Sequence, residues 1–252
     1  MSIATYSKFQ QYKSMIHSSP TLPSEEFLKS EEFLVERDEK KGLDIYYAPF
    51  EHVNEKAKVV IVGITPGLFQ MMKSYQTVYN AKDSGLSDEE ILQQVKNNSS
   101  FEGTMRKNLV SMLDQLNLHT YLNLSSTLEL FSTANHLVHT TSVIAYPVFY
   151  KGKNYSGSTP SIVKTPLLNH YVRNCFVSEL NSLEPSLIIP LGVNVGNAIN
   201  QLVDRQVLDK HTLLSGFPHP SGGNGHRVKQ FEAHKEKMRS DLQQHFSSLV
   251  TL

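Results

Sequence analysis

Two short loops in this 252-residue chain carry residue types that suit close contact with a ligand. The first, Gly63-Ile64-Thr65-Pro66-Gly67, follows an apolar run at 59–62, and the second has the sequence HPSGGNGH at 219–226. Glycine permits tight turns and a close approach of backbone to ligand, and proline stiffens a loop. Either loop alone is more often a structural turn than a binding site, so its position in the fold decides how it is interpreted.

Neither loop matches a common phosphate-binding or nucleophile motif. A P-loop would continue into Gly-Lys-Ser/Thr, and the glycines of 192–196 (GVNVG) are spaced wrongly for a dinucleotide fingerprint. Ser221 lacks the G-x-S-x-G surroundings of an α/β-hydrolase nucleophile, which makes a small-molecule hydrolase a weak alternative.

The apolar pattern predicts strands that alternate with helices. Predicted strands lie at 59–62, 138–145, 187–191 and 213–217, and predicted helices at about 87–97, 104–116, 167–183, 194–204 and 228–247. This alternation is typical of a parallel sheet covered on both faces. Ligands bind such sheets beyond the carboxyl ends of the strands, and both loops follow a predicted strand. The two loops are therefore candidate binding segments.

The chain is predicted to have an N-terminal helical extension, residues 1–45, before one α/β domain at 46–252. The extension is rich in charged residues, and Pro20 and Pro23 separate two predicted helices. Ser24 precedes two glutamates, which predicts an N-cap with acidic residues in the first helical turn.

Composition excludes several classes of protein. A single cysteine cannot form an intramolecular disulfide or a Cys-rich metal site, and it suits a reducing compartment. No apolar run reaches the roughly 18–20 residues that cross a bilayer, and the first residues lack a signal-peptide core. We therefore expect a soluble, cytoplasmic protein. The 24 Lys+Arg balance the 24 Asp+Glu, which argues against a wholesale polyanion binder.

The charges are nevertheless unevenly distributed. Positions 130–178 contain no Asp or Glu but do contain Lys151 and Lys153, within a predicted surface loop at 150–161. The stretch 219–239 holds five basic and two acidic residues. Basic segments interleaved with aromatics can follow a phosphate backbone and offer stacking surfaces. A solvated surface that happens to lack acids is the alternative.

Together and in this order, the two loops resemble the motifs of the uracil-DNA glycosylase superfamily. GITPG is similar to its first motif, and HPSGGNGH to its second. FEGTMRKNL at 101–109 resembles the segment that supplies a base-stacking phenylalanine in the thermophile-type and related bacterial branches. EPSLIIPLG at 184–192 resembles their Pro-x-hydrophobic-strand-Leu-Gly element. The resemblance covers roughly residues 57–240, and an unrelated α/β protein is the alternative.

This resemblance implies an enzyme that flips a base out of DNA and cleaves its N-glycosidic bond. His219 would donate a hydrogen bond to the departing base, and Thr65 occupies the position of the water-binding group. The residues implied for substrate binding are Gly63, Ile64, Pro66, Gly67, Phe101 and Ser142. Those implied for DNA contact are Ser221, Gly222, Asn224, His226, Arg227, Lys151 and Lys153. Each role has a structural alternative. His219 could be a loop histidine that is hydrogen-bonded to the backbone, and Phe101 could be an aromatic residue of the core.

The chain departs from the superfamily pattern at the water-binding position. Several branches have aspartate or asparagine there, where this chain has Thr65. A threonine hydroxyl can hold a water but cannot act as a general base near neutral pH. Either leaving-group stabilisation carries catalysis, or a carboxylate elsewhere helps, with Glu102 and Asp83 as candidates by location only.

Two further departures concern the base and the metal. Ser142 stands where those branches have an asparagine that reads the uracil edge, and the shorter serine leaves space for a substituted pyrimidine. The thermophile-type branch holds an iron–sulfur cluster through four cysteines, but only Cys175 is present here. We therefore predict no metal and no cofactor, with Cys175 as a buried small hydrophobe.

We thus predict a three-layer α/β/α sandwich of the uracil-DNA glycosylase type, with a short, mostly parallel four-stranded sheet. The predicted function is a monofunctional DNA glycosylase that removes a modified pyrimidine and leaves an abasic site. Hydroxymethylated or glucosylated cytosine of phage DNA, in antiphage defence, is the substrate we expect. The alternatives are a uracil-DNA glycosylase in base-excision repair and a non-catalytic binder of damaged or modified DNA. The expected partner is DNA, with no membrane, and the protein is expected to be a monomer.

Overall fold

The computed structural model describes residues 2–250, whose centre is a parallel β-sheet. The strands are β1 (Ser2–Ile3), β2 (Leu34–Asp38), β3 (Leu43–Tyr46), β4 (His52–Val53), β5 (Val59–Gly63), β6 (Val138–Ser142), β7 (Val148–Tyr150), β8 (Lys153–Asn154), β9 (Leu187–Pro190) and β10 (Thr212–Leu213). The α-helices are α1 (Phe9–Ser18), α2 (Glu25–Leu28), α3 (Leu68–Asn80), α4 (Asp88–Ser99), α5 (Thr104–Gln115), α6 (Leu118–Tyr121), α7 (Pro166–Tyr171), α8 (Val177–Ser182), α9 (Val193–Leu202), α10 (Arg205–Leu208) and α11 (Arg227–Val250). Short 3₁₀ helices lie at Glu31–Phe33, Thr127–Phe131 and Asn135–Leu137, and a π-helical turn at Val172–Phe176 joins α7 to α8.

The central sheet has the strand order β10-β9-β5-β6, and every neighbouring pair is parallel. This confirms the α/β class and the four-stranded parallel sheet that the alternation of strands and helices predicts. The register pairs Gly63 with Ser142 and Val62 with Pro190. The carboxyl ends of three strands are therefore level, and the loops that follow them begin at one edge.

Helices cover both faces of this sheet. Val60 and Val62 of β5 belong to one buried apolar cluster, whereas Val59 and Ile61 belong to another, because successive side chains of a strand point to opposite faces. Helices α3, α4 and α9 contribute to the first cluster, and α5 and α11 to the second. Burial on both faces explains why β5 is a continuous apolar run.

The N-terminal region differs from the helical prediction. Ser24 does cap α2, accepting a hydrogen bond from the backbone of Phe27 at 3.2 Å. However, β2 and β3 are strands, which pair with each other and continue through β7 and β8 into an antiparallel sheet. The helical prediction for this stretch is wrong, because β3 pairs with β7, a strand that lies far along the chain. The proposed boundary at residue 45 falls inside β3.

One helix was not predicted, and two strands differ from their predicted extents. Helix α3, which the sequence analysis did not identify, buries Met71, Tyr75 and Val78 at helical spacing. Strand β6 ends at Ser142 rather than 145, and β10 ends at Leu213 rather than 217. No helix within residues 2–250 is long and apolar enough to cross a membrane.

Candidate functional site

The carboxyl edge of the parallel sheet borders a cavity of about 700 Å³. The predicted site residues that line it are Gly63, Ile64, Thr65, Gly67, Phe101, His219, Ser221 and Asn224. Pro66 and Ser142 instead line an adjoining small cavity of about 20 Å³, which shares Phe101 with the large one. The remaining predicted DNA-contact residues do not line either cavity; they are Gly222, His226, Arg227, Lys151 and Lys153.

Gly63 leaves room for the side chains of Phe101 and Ser142 at the end of β5. A Cβ atom at position 63 would lie 3.1 Å from Cε1 of Phe101 and 3.2 Å from Oγ of Ser142. Phe101 itself has φ of 54°, which is uncommon for a residue other than glycine. Its ring is buried in the second apolar cluster and also faces the cavity, so it is both a core residue and a candidate stacking surface.

Gly192 has the corresponding role beside His219. It precedes α9 with φ of 95°, and its backbone N–H donates to the carbonyl of Phe217 at 3.0 Å. A Cβ atom at position 192 would lie 3.1 Å from Cβ of His219. The end of β9 therefore supports the second motif loop directly, through an approach that only glycine permits without displacement.

The hydrogen bonding of His219 determines its protonation. Nδ1 accepts from the backbone N–H of Ser221 at 3.3 Å, so the neutral ring carries its proton on Nε2. Burial lowers the pKa of His219 below its ordinary value, which keeps the ring neutral near pH 7. Within residues 2–250, Nε2 has no hydrogen-bond partner. A neutral donor is thus available to a ligand in the cavity.

Two side chains predicted to contact DNA also hold the second motif loop together. Asn224 donates through Nδ2 to the carbonyl of His219 at 3.1 Å, and Arg227 donates through Nη1 to the carbonyl of Ser221 at 2.9 Å. Four other predicted DNA-contact residues are exposed to solvent: Gly222, His226, Lys151 and Lys153.

The Thr65 hydroxyl is already engaged within the protein. It donates to the carbonyl of Tyr146 at 2.7 Å and accepts from the backbone N–H of Val148 at 3.1 Å. These bonds fasten the first motif loop to the segment between β6 and β7. The hydroxyl proton is therefore directed at Tyr146, and the side chain has only an acceptor position left for a water.

Backbone donors at the start of α3 are occupied as well. The N–H of Gly67 donates to Oε1 of Gln70 at 3.0 Å, and the N–H of Leu68 donates to Oδ1 of Asn154 at 3.0 Å. Gly67 was expected to offer its N–H to a base or phosphate, but here that group caps its own helix. Asn154 thereby attaches the β7–β8 hairpin to the rim of the cavity.

Among the described residues, the cavity lining contains several amide side chains and no Asp, Glu, Lys or Arg. The amide side chains are Gln70, Asn154, Asn194, Asn197, Asn200, Asn224 and Gln230. Only Asn224 among them is a predicted site residue. Asn194, Asn197 and Asn200 could have been found from their spacing of three residues in a predicted helix. The candidate carboxylates Glu102 and Asp83 do not line the cavity, and Glu102 lies 4.0 Å from Lys73 beside a separate one.

A buried polar network behind β6 was also missed by the sequence analysis. His139 Nε2 lies 3.1 Å from a Glu179 carboxylate oxygen, and Thr141 donates to the same oxygen. Burial alone would raise the pKa of Glu179, but these hydrogen bonds hold it below its usual range. The Lys96 ammonium donates to the Thr140 carbonyl at 2.6 Å. The network fixes the strand that carries Ser142.

Cys175 is buried, and burial raises the pKa of its thiol to about 12. This is the environment of a small hydrophobe rather than of a metal ligand, since metals bind the thiolate. In the part of the chain that the structure describes, no three His, Cys, Asp or Glu side chains are grouped so as to hold a metal ion.

Comparison with known proteins identifies a relative over nearly the whole chain. No family model matches the sequence. The chain is 37% identical over 250 residues to "Uncharacterized protein YoxB" of Bacillus subtilis (strain 168), and the match covers 98% of this chain and 96% of the relative. It therefore includes the N-terminal strands as well as both motif loops. The chain belongs to the same family as YoxB.

Proposed function

We propose that this protein is a monofunctional DNA glycosylase of the uracil-DNA glycosylase type that excises a modified pyrimidine. The observation that carries this proposal is the convergence of both motif loops on one cavity. Both Phe101 and the neutral His219 donor line that cavity. A flipped base would stack on the first and accept a hydrogen bond from the second.

The chemistry follows from where charge develops. As a water oxygen bonds to C1′ of the sugar, the bond from C1′ to the base nitrogen breaks, and its electron pair goes to the base. The Nε2–H of His219 would donate to the pyrimidine oxygen on which this negative charge accumulates. The proton lost by water goes to solvent or to the departing base. Because no Asp or Glu of the described chain lines the cavity, leaving-group stabilisation has to supply most of the rate acceleration.

The size and polarity of the cavity favour a substituted base. Its volume of about 700 Å³ falls within the roughly 300–1,000 Å³ of sites that enclose drug-sized ligands, well beyond the needs of a bare pyrimidine. Amide groups without charges suit a neutral, hydroxyl-bearing substituent. Hydroxymethylated or glucosylated cytosine meets this description, and phage DNA that contains such bases is the substrate that an antiphage function would require.

The surroundings of the cavity suit a polyanion. Helices α3, α5, α9 and α11 contribute cavity-lining residues from their first turns, and none of these turns contains an acidic residue. The positive ends of their dipoles are therefore not neutralised locally. Lys151 and Lys153, exposed on the β7–β8 hairpin, add positive charge near the same rim.

A non-catalytic binder of modified DNA is the second candidate. Two observations favour it: the Thr65 hydroxyl is engaged by Tyr146 and Val148, and no Asp or Glu within residues 2–250 lines the cavity to activate a water. Such a protein would bind the flipped base in the same cavity without releasing it.

The two candidates are separated by incubating the protein with duplexes that carry uracil, hypoxanthine, hydroxymethylcytosine or its glucosylated form. Alkali then breaks any abasic strand, and mass spectrometry identifies the free base. We expect release of a substituted cytosine, and loss of that release in His219→Ala. Strand breaks from none of the duplexes, with binding retained, would establish the binder instead.

His211→Ala is the matched control for this experiment. The His211 ring also accepts a backbone N–H through Nδ1, from Ser186 at 3.2 Å, and burial lowers the pKa of His211 too. It does not line the cavity. If both variants lose activity equally, destabilisation rather than a lost donor explains the effect, and the assignment of His219 is wrong.

A further inference from the structure

Exposed apolar side chains lie in the first turns of three helices that contribute residues to the cavity lining. Phe69 is 53% exposed in the first turn of α3, Val193 is 73% exposed in that of α9, and Val228 is 68% exposed in that of α11. These helices follow β5, β9 and β10, so their first turns lie at the carboxyl edge of the sheet. Single exposed hydrophobic residues are ordinary on a protein surface, but these three lie in first helical turns at the same edge of the sheet as the proposed site.

Phe69 differs from the two valines because it offers an aromatic face. It lies two residues beyond Gly67, which lines the cavity. Lys73, one turn later on α3, has its ammonium over one face of the Phe69 ring, 6.0 Å from the ring centre. The carboxylate near this lysine is that of Glu102, at 4.0 Å. Because the ammonium lies over one face, a nucleobase would stack on the opposite face of this exposed ring, and the cation would lie near the neighbouring phosphates.

The β7–β8 hairpin adds further positive charge near Phe69. Asn154 accepts the backbone N–H of Leu68, the residue before Phe69, and Lys153 is the neighbouring residue on the same strand. The hairpin belongs to the acid-free stretch 130–178. Charge complementarity at this rim therefore favours a nucleic acid over an apolar protein surface as the occupant.

We propose that Phe69 is a stacking platform for a base adjacent to the flipped nucleotide. This rests on the proposed function, since it takes DNA as the ligand. Removing one base from the stack leaves the faces of its neighbours exposed, and an aromatic ring beside the cavity mouth covers one of them. The occupant is a nucleobase face on an unstacked strand, with the neighbouring phosphates beside Lys73 and Lys153.

The chain contains no tryptophan, which allows a direct test. Phe69→Trp introduces a single indole at the platform, and stacking of a base on it quenches its fluorescence. The probes are a single-stranded thymidine oligonucleotide and an abasic oligonucleotide of equal length, which carry the same phosphates. Leu128→Trp is the control, because Leu128 is 55% exposed and lies before the amino-terminal end of β6. Binding is followed independently by anisotropy of a labelled oligonucleotide.

We expect the thymidine oligonucleotide to quench Phe69→Trp strongly, the abasic one to quench it weakly, and neither to affect Leu128→Trp. Phe69→Ala is expected to weaken binding of the thymidine oligonucleotide by about 5- to 150-fold, the range measured for loss of one stacking aromatic, and Phe69→Tyr to retain it. Equal quenching by both probes, or none despite binding, would overturn the platform and leave the proposed function standing. If neither oligonucleotide binds the wild-type protein, the platform is overturned, and the duplex assay of the proposed function decides the DNA partner separately.

Discussion

Gly192→Ala tests how β9 positions His219. The residue precedes α9 with φ of 95° and ψ of 165°, a backbone region occupied almost solely by glycine. Alanine there carries a conformational cost of about 1–3 kcal/mol. In addition, its Cβ would lie 3.1 Å from Cβ and 3.4 Å from the backbone nitrogen of His219. Contacts this short force the second motif loop to move by a few tenths of an ångström.

Gly103→Ala is the control that separates the effect of backbone strain at the substituted residue from the effect of displacing the His219 loop. Gly103 precedes α5 with φ of 83° and ψ of −142°, but nothing lies within 4 Å of a Cβ built there. Both variants should therefore lose about 1–3 kcal/mol of unfolding free energy. Only Gly192→Ala should also move the imidazole. Since a misplacement of 1 Å can cost about 100-fold in rate, a smaller shift is expected to reduce base excision by about tenfold.

Urea unfolding followed by circular dichroism measures the stability of both variants, and NMR titration measures the pKa of His219. Displacing the ring toward solvent removes part of the burial that lowers this pKa, so it should rise toward its ordinary value in Gly192→Ala but not in Gly103→Ala. An unchanged His219 titration in Gly192→Ala, together with the expected loss of stability, would refute the supporting role of β9.

Three further predictions concern the donor, the base and the response to acid. His219→Gln, which keeps an N–H donor, should retain more excision than His219→Ala, for which the loss of one preorganised donor is expected to cost about 100- to 1,000-fold in single-turnover rate. Ser142→Asn narrows the small cavity beside Phe101, so release of a substituted pyrimidine should fall relative to release of uracil in a competition assay. Burial lowers the pKa of His52 in the folded protein to about 3, whereas the ordinary pKa of histidine is 6.5. Between these two pH values the unfolded chain binds a proton at His52 that the folded chain does not, so the free energy of unfolding decreases as the pH falls. This one group should account for about 2 kcal/mol lost by pH 5, and acid titration of unfolding in His52→Gln should show a correspondingly flatter slope.

Local patterns predicted the elements that carry most of the site. The helices now seen as α4, α5, α9 and α11 were expected within a few residues of their ends, and β5 within one residue. Amphipathic spacing and glycine boundaries are properties of neighbouring residues, so they are readable without the fold. The strands β2 and β3 were not predicted, because β3 pairs with the distant strand β7 while β2 extends the same sheet, and this tertiary pairing overrides the local helix preference.

The site shows the same division. The two motif loops and Phe101 were recognised from their residues and order, and the structure brings them to one cavity. The amide row of α9 was present in the sequence, but which face of the helix meets the cavity depends on how α9 packs against the sheet. The engagement of Thr65 by Tyr146 was not predictable either, because it depends on how the loop after β6 folds back over the first motif.

The amino-acid sequence by itself determined the alternation of strands and helices, the glycines at the strand ends and the absence of tryptophan and paired cysteines. Each of these follows from residue identity or short-range spacing. The tertiary structure alone decided that Phe101 and Ser142 lie close to Gly63, that Gly192 supports His219, and that no Asp, Glu, Lys or Arg of the described residues lines the cavity. These features depend on strand register and on packing between distant segments, where contacts of about 3 Å are set by the whole fold.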